Sequence, residues 1–163
     1  MLPEGRSELD RIVDVDGRPL VIGGVVYAAA FQGRVKALRL PDGSPLWERE
    51  ISSAMDLAEG YGQVYVVDGD DQLIAIDRDS AEIAWEQEAF LRRKLSPPAA
   101  FSNYVLVGDE EGYLHVLAQS DGRMMGRRKV DGKGLRTAPF ISDSVVYVLG
   151  NSGRLAAYEV QVE

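Results

Sequence analysis

The chain has 163 residues, 45% apolar and 27% charged, enough to bury one domain core and unlike the composition of a disordered chain. Its 26 acidic side chains outnumber 18 basic ones for a formal charge of −8, which argues against nucleic acid or an anionic membrane as partner, since both need a cationic face. There is no cysteine and one histidine, His115. Thiolate chemistry, disulfides and cysteine-held zinc are therefore excluded, and a serine–histidine triad would have to use that one imidazole.

The start, Met1-Leu2-Pro3-Glu4-Gly5-Arg6, has no cationic stretch leading into an apolar one, and no apolar run approaches a membrane span of roughly 18 residues. It reads like the middle of a loop, so the chain is expected to be a piece of something longer. Residues 1–17 are read as an arm leading into a repeating region.

Four similar units follow. The first, 18–53, opens with Val21-Ile-Gly-Gly-Val-Val-Tyr27 and continues through a turn at Gln32-Gly33 into a strand over 34–40. Asp42-Gly43 then turns the chain into a strand carrying Trp47. The second, 54–96, repeats the order with Val64-Tyr-Val-Val67, a turn at Asp70-Asp71, a strand over 72–77, a turn at Ser80-Ala81 and Trp85. The third, 97–134, has Tyr104-Val-Leu-Val107, Glu111-Gly112, a strand over 113–118 and Asp121-Gly122, with Gly126 in the Trp position. The fourth, 135–163, runs from Phe140 through Val145-Val-Tyr-Val-Leu149 and Ser152-Gly153 to a strand over 154–160, where the chain ends before its Trp position. The aliphatic residues Val35, Leu73, Leu114 and Leu155 recur at intervals of about 40 residues. Within each unit the apolar period is two, the residues are β-branched or aromatic, and glycine supplies the positive φ of the turns. Four short antiparallel strands per 40-residue unit predict an all-β protein, a partial β-propeller of about four blades with the last one incomplete.

The segments Ala37-Leu-Arg-Leu-Pro-Asp-Gly-Ser-Pro-Leu-Trp47 and Ala75-Ile-Asp-Arg-Asp-Ser-Ala-Glu-Ile-Ala-Trp85 resemble the AxDxxTGxxxW pattern of the pyrroloquinoline-quinone-like, or tryptophan-docking, repeat. Arg39, Ala81, Val116 and Gly126 depart from it. Three further stretches, Leu9-Asp-Arg-Ile-Val-Asp-Val-Asp16, Gly108-Asp-Glu-Glu-Gly-Tyr-Leu-His115 and Lys129-Val-Asp-Gly-Lys-Gly-Leu135, are similar to the C-terminal half of the BamB lipoprotein family of the outer-membrane β-barrel assembly machinery. The resemblance implies half of an eight-bladed ring, with four blades, an export signal and a lipid-bearing cysteine expected upstream. It implies a non-catalytic scaffold at the periplasmic face of the bacterial outer membrane, attached to the membrane only through that lipid anchor. It also implies no cofactor, docking to the POTRA domains of BamA, and contact with nascent outer-membrane proteins.

In that family an acidic pair in this inter-blade loop takes part in the docking, and it falls on Asp14 and Asp16. Two carboxylates two positions apart in an extended stretch point the same way and focus negative charge on an incoming Arg or Lys. The plainer reading is that they solvate a loop and turn the chain into Gly17. Arg11 either joins the docking site or pairs with Asp10 or Asp14.

Other motifs are weighed the same way. Asp68-Gly-Asp-Asp71 invites calcium, but an EF-type loop would place Gly at Leu73 and Glu at Asp79, so a polar hairpin tip is expected there and at Asp109-Glu110-Glu111. Gly132-Lys133-Gly134 lacks the spacing and hydroxyl residue of a phosphate loop. His115 is read as a packed or edge imidazole. Arg92-Arg-Lys94 and Arg127-Arg-Lys129 are read as solvated surface that deters edge pairing, with a second partner surface at 92–94 as the alternative. The contrasting function class is a ligand- or quinone-binding propeller fragment of a dehydrogenase or sensor, with Trp47 and Trp85 stacking a planar cofactor. The open flanks of such a piece lead to the expectation that it self-associates.

Overall fold

The computed structural model describes residues 17–31 and 33–159. Strands β1 (Leu20–Ile22), β2 (Val25–Ala29), β3 (Val35–Arg39) and β4 (Pro45–Arg49) form the first antiparallel sheet. The second contains β5 (Ala58–Gly60), β6 (Gln63–Val67), β7 (Leu73–Asp77) and β8 (Ile83–Gln87). The third contains β9 (Ala99–Phe101), β10 (Tyr104–Gly108), β11 (Tyr113–Ala118) and β12 (Met124–Lys129). The fourth has three strands among the described residues, β13 (Phe140–Ser142), β14 (Val145–Leu149) and β15 (Leu155–Glu159). Each sheet is a meander in chain order, and β5, β9 and β13 neighbour one another at one edge of the stack. The sheets therefore converge on their first strands and splay outward, as blades do around an axis.

The core lies between blades. Val64, Val66, Ile74 and Ile76 of the second sheet pack against Tyr27, Ala29, Val35 and Ala37 of the first. The opposite face of that sheet, Tyr65, Val67, Leu73 and Ala75, packs on Val105, Val107 and Leu117 of the third. Leu106 and Leu114 meet Val146 and Val148 of the fourth. Since β6 is covered on both faces, its run of Val-Tyr-Val-Val shows no polar alternation. The fourth sheet leaves Phe140, Leu149 and Leu155 exposed beside a depression of about 410 Å³.

The spacing of Ala and Trp has a direct structural meaning. Ala37 is the cross-strand neighbour of Trp47 and Ala75 of Trp85, and a β-bulge follows the alanine in both sheets. Each indole crosses to the next blade: Trp47 Nε1–H donates to the Arg78 carbonyl at 2.9 Å, and Trp85 Nε1–H to the Gln119 carbonyl at 2.8 Å. Arg78 and Gln119 are the residues just after β7 and β11, so the two links are equivalent. In the third sheet Val116 opposes Gly126 with the bulge retained, so the larger side chain of the pair moves to the inner strand. At the turn beneath Trp85, Gly122 has φ 71°, and a Cβ there would sit 2.4 Å from the indole. Ala81 holds the equivalent turn at φ 61°, a left-handed conformation that opposes folding by about 1 kcal/mol relative to glycine.

Carboxylates tie the blades together at the opposite end of the sheets. Asp71 accepts from the amides of Lys94 (3.0 Å) and Leu95 (2.9 Å) in the crossing loop to the third sheet. Asp131 accepts from the Lys133 amide at 2.9 Å, and from the Ser152 amide and hydroxyl at 2.8 and 2.6 Å. The Ser152 hydroxyl first, then the two amides, hold the Asp131 carboxyl at about 2 against an ordinary 3.8. A depressed carboxyl adds stability above its unfolded value that disappears as pH falls through the folded one. Asp131→Asn is therefore expected to lower the urea midpoint at pH 7, with the gap to the parent narrowing from pH 4 to pH 2. A gap that stays constant over that range contradicts this.

Candidate functional site

Arg11, Asp14 and Asp16 lie outside the described residues. The chain that continues from them is firmly placed. Arg18 donates its amide to Asp56 Oδ1 at 2.7 Å and its guanidinium Nε to Oδ2 at 3.0 Å. A Cβ at Gly17 would come within 2.5 Å of the Met55 carbonyl oxygen, so the entry to the first sheet is seated against the crossing loop between the first and second sheets. That crossing loop lies at the same end of the sheets as the tip of the β2–β3 hairpin, because each crossing joins the end of an outermost strand to the start of an innermost one.

The loop end carries an ion cluster that joins the Asp109 hairpin tip to Arg93, a residue expected to be solvated surface. Asp109, at the tip of the β10–β11 hairpin, is 0% exposed. Arg93 reaches back from the preceding crossing loop and donates Nε (3.0 Å) and Nη2 (2.8 Å) to Asp109 Oδ2. His115 Nε2 lies 2.8 Å from the same oxygen, and the Tyr113 amide donates to Oδ1 at 2.9 Å. Burial alone raises the Asp109 pKa, but the donors from His115, Tyr113 and Arg93 outweigh it and hold the carboxyl below its ordinary value. Arg93 also pairs with Glu111 at 2.9 Å, and Lys94 with Glu110 at 2.7 Å.

Asp109-Glu110-Glu111 forms the polar hairpin tip expected, and one expectation is corrected: Arg93 is not simply solvated, because the crossing loop folds over the tip and takes its carboxylates. His115 is a packed imidazole, 2% exposed, with Phe90 at 4.8 Å between ring centroids. Since a carboxylate accepts, Nε2 is the donor, and Nδ1 is buried with no hydrogen-bond partner. The position is particular to the third blade: the residues in the same cross-strand register are Lys36, Ile74 and Ala156. A signal was present in the sequence. Strand register puts Asp109 beside Tyr113, and His115 shares that residue's face two positions on.

The Asp109–His115 pair has the polarity of the acid–base half of a hydrolase triad, yet no hydroxyl hydrogen-bonds Nδ1 among the described residues. Other polar groups are taken up by hairpin tips or by blade joints. Asp68 Oδ1 accepts from the amides of Asp70 and Gln72 in its own tip. Tyr65 donates its hydroxyl to Gln119 Oε1 at 3.0 Å across the second and third sheets, and burial raises its pKa. Gln119 Nε2 donates to the carbonyls of Ser102 and Tyr104. Among the described residues no group of three or more His, Asp or Glu could hold a metal ion.

Radial antiparallel blades, joined by indoles and by carboxylate-capped loops, define a partial β-propeller whose rims are built of loops. A family model described as outer membrane protein assembly factor BamB matches residues 2–87 and 88–161, and the chain belongs to that family. It is 46% identical over 160 residues to the outer membrane protein assembly factor BamB of Pseudomonas aeruginosa, covering 98% of this chain and 42% of that protein. The Yersinia pestis protein of the same name is 39% identical over 94% of this chain and 39% of its own length. The crystal structure of BamB from Moraxella catarrhalis superposes with a TM-score of 0.84 at 26% identity, over 98% of this chain and 47% of that one. The chain thus spans about two fifths of the curated relatives it matches.

Proposed function

We infer that this chain is a non-catalytic scaffold in outer-membrane protein assembly. It acts at the periplasmic face of the bacterial outer membrane, docks to the POTRA region of BamA and assists nascent outer-membrane proteins. The observation that carries this reading is the family match, which runs through all four sheets and includes the segment with Arg11, Asp14 and Asp16. The chemistry agrees with it. Residues that would suit a reaction centre are locked into joints between blades, which leaves loops and rims as the working surface. In the reading proposed, Asp14 and Asp16 meet an Arg or Lys of the partner, and Arg11 sets the edge of that contact.

The test is Asp14→Arg with Asp16→Arg in the full-length protein. Capture of a purified POTRA fragment is expected to fall at least about tenfold, since reversing a rim charge pair turns attraction into repulsion. The thermal midpoint should stay within about 1 °C of the parent, because in this reading the pair serves binding and not the packing of the sheets. Undiminished capture by the double variant refutes the docking site.

A further inference from the structure

The crossing loop between the second and third sheets is held in an unusual shape. Arg92 and Lys94 have φ of 64° and 50°, and Asp71, whose carboxylate caps Lys94 and Leu95, has φ 68°. Three non-glycine residues in left-handed conformations at one joint amount to strain that the surrounding bonds must hold. The loop buries Phe90 on His115 and swings Arg93 onto Asp109. Between it and the outer strand β12 lies a depression of about 280 Å³, lined by Ala89, Phe90, Arg93, His115, Met124 and Arg127, with Gly126 backbone at its edge.

The lining has two chemistries. Phe90 and Met124 make it apolar, and Met124, 41% exposed, opens a strand that ends in Arg127, Arg128 and Lys129. Arg127 makes it cationic, whereas the charge of Arg93 is met by Asp109 and Glu111. Arg127 has no ion-pair partner among the described residues, and its guanidinium stands 5.0 Å from the Tyr113 ring centroid, held by a cation–π contact. Lys129 stands over the same ring at 4.5 Å and donates to the Glu111 carbonyl. His115, whose Nδ1 has no partner, lines the same depression. Protection of an exposed strand edge accounts for cations on β12. It does not account for an aromatic floor or for a strained loop that encloses it.

We propose that this cleft binds an acidic segment of another protein, one that places a carboxylate on Arg127 and an adjoining apolar side chain on the exposed Met124, above the buried Phe90. Charge complementarity selects the partner: the chain as a whole repels acidic peptides at −8, so binding must come from this local cationic site. Preorganisation supports it, because Arg127 is already held over the Tyr113 ring and loses little side-chain freedom on binding.

The probe is a fluorescein-labelled ten-residue peptide of alternating Glu and Leu, titrated by anisotropy against this chain and compared with the Lys–Leu version. Saturable binding of the acidic peptide alone is expected, weakened at least about tenfold by Arg127→Glu. Arg92→Glu is the control. It makes the same charge change on the crossing loop that flanks the cleft, but Arg92 lines a separate depression with Asp70, Gln72 and Leu91, so affinity should change less than about threefold. Both arginines are exposed, and the thermal melts report whether the variants fold. Failure of saturation overturns the proposal, as does equal weakening by the two substitutions. So does binding that passes instead to phosphatidylglycerol vesicles with the same dependence on Arg127.

Discussion

Trp85→Ala is expected to lower stability by about 3–5 kcal/mol, the range for deleting a buried aromatic side chain. The ring is 8% exposed, lies 5.8 Å from Tyr65 between centroids, and rests against Gly122 of the next blade. Its loss opens a cavity between the second and third sheets and removes the donor to the Gln119 carbonyl. Trp47→Ala should cost at least about 1 kcal/mol less, because that ring is only half-buried and so removes less apolar area from water in the folded state. It is also tilted 51° to Tyr27, against 33° for the Trp85 pair, and the turn beneath it carries Ala81 where Trp85 has glycine. Urea midpoints for the two variants measured side by side decide the matter. Equal losses would mean that depth of docking does not control how strongly adjacent blades hold together.

Asp109→Leu is the second large effect, also about 3–5 kcal/mol, the scale for breaking a buried ion pair by removing one partner. The substitution leaves Arg93 without the oxygen that accepts from both its Nε and Nη2, and the His115 Nε2–H without any acceptor shown for it. Asp109→Asn keeps the shape and removes the charge, so it should fall between Leu and the parent. The pH dependence has a definite sign. The depressed Asp109 carboxyl stabilises the fold above its ordinary value of 3.8, and that contribution is lost as pH drops through the lower folded value. The parent should thus lose its advantage over Asp109→Asn below about pH 4. Hydrogen exchange adds a local reading: amides of Arg93, Lys94 and Leu95 should exchange faster in Asp109→Leu than those of the first sheet. Uniform exchange would mean that Asp109 supports the whole fold equally rather than this joint.

Much of the architecture was legible in the residues. The period of two, the recurrence of Tyr27, Tyr65 and Tyr147 ahead of Val35, Leu73 and Leu155, and the turn pairs between them lead to four successive meanders. Tyr27 and Tyr65 face Ala37 and Ala75 across the hairpins, and these in turn face Trp47 and Trp85. That pattern was visible because cross-strand neighbours in a hairpin are set by distance from the turn. The candidate site was less legible. Asp109 looked like any tip carboxylate, and Arg93 like one of three surface cations. Only the fold of the crossing loop brings the two within 2.8 Å.

What the sequence determined by itself is therefore local and periodic: all-β meanders about 40 residues long, indoles at a fixed offset, no cysteine chemistry, and similarity to a family of propellers. Tertiary structure decided which polar groups are spent inside joints and which remain for partners. Asp109 and His115 are buried, Arg127 has no ion-pair partner among the described residues and stands beside Tyr113, and Ala81 is accepted in a turn that favours glycine. The reason is physical. Strand pairing follows from neighbours along the chain, whereas the burial of a charge depends on what a different blade lays over it.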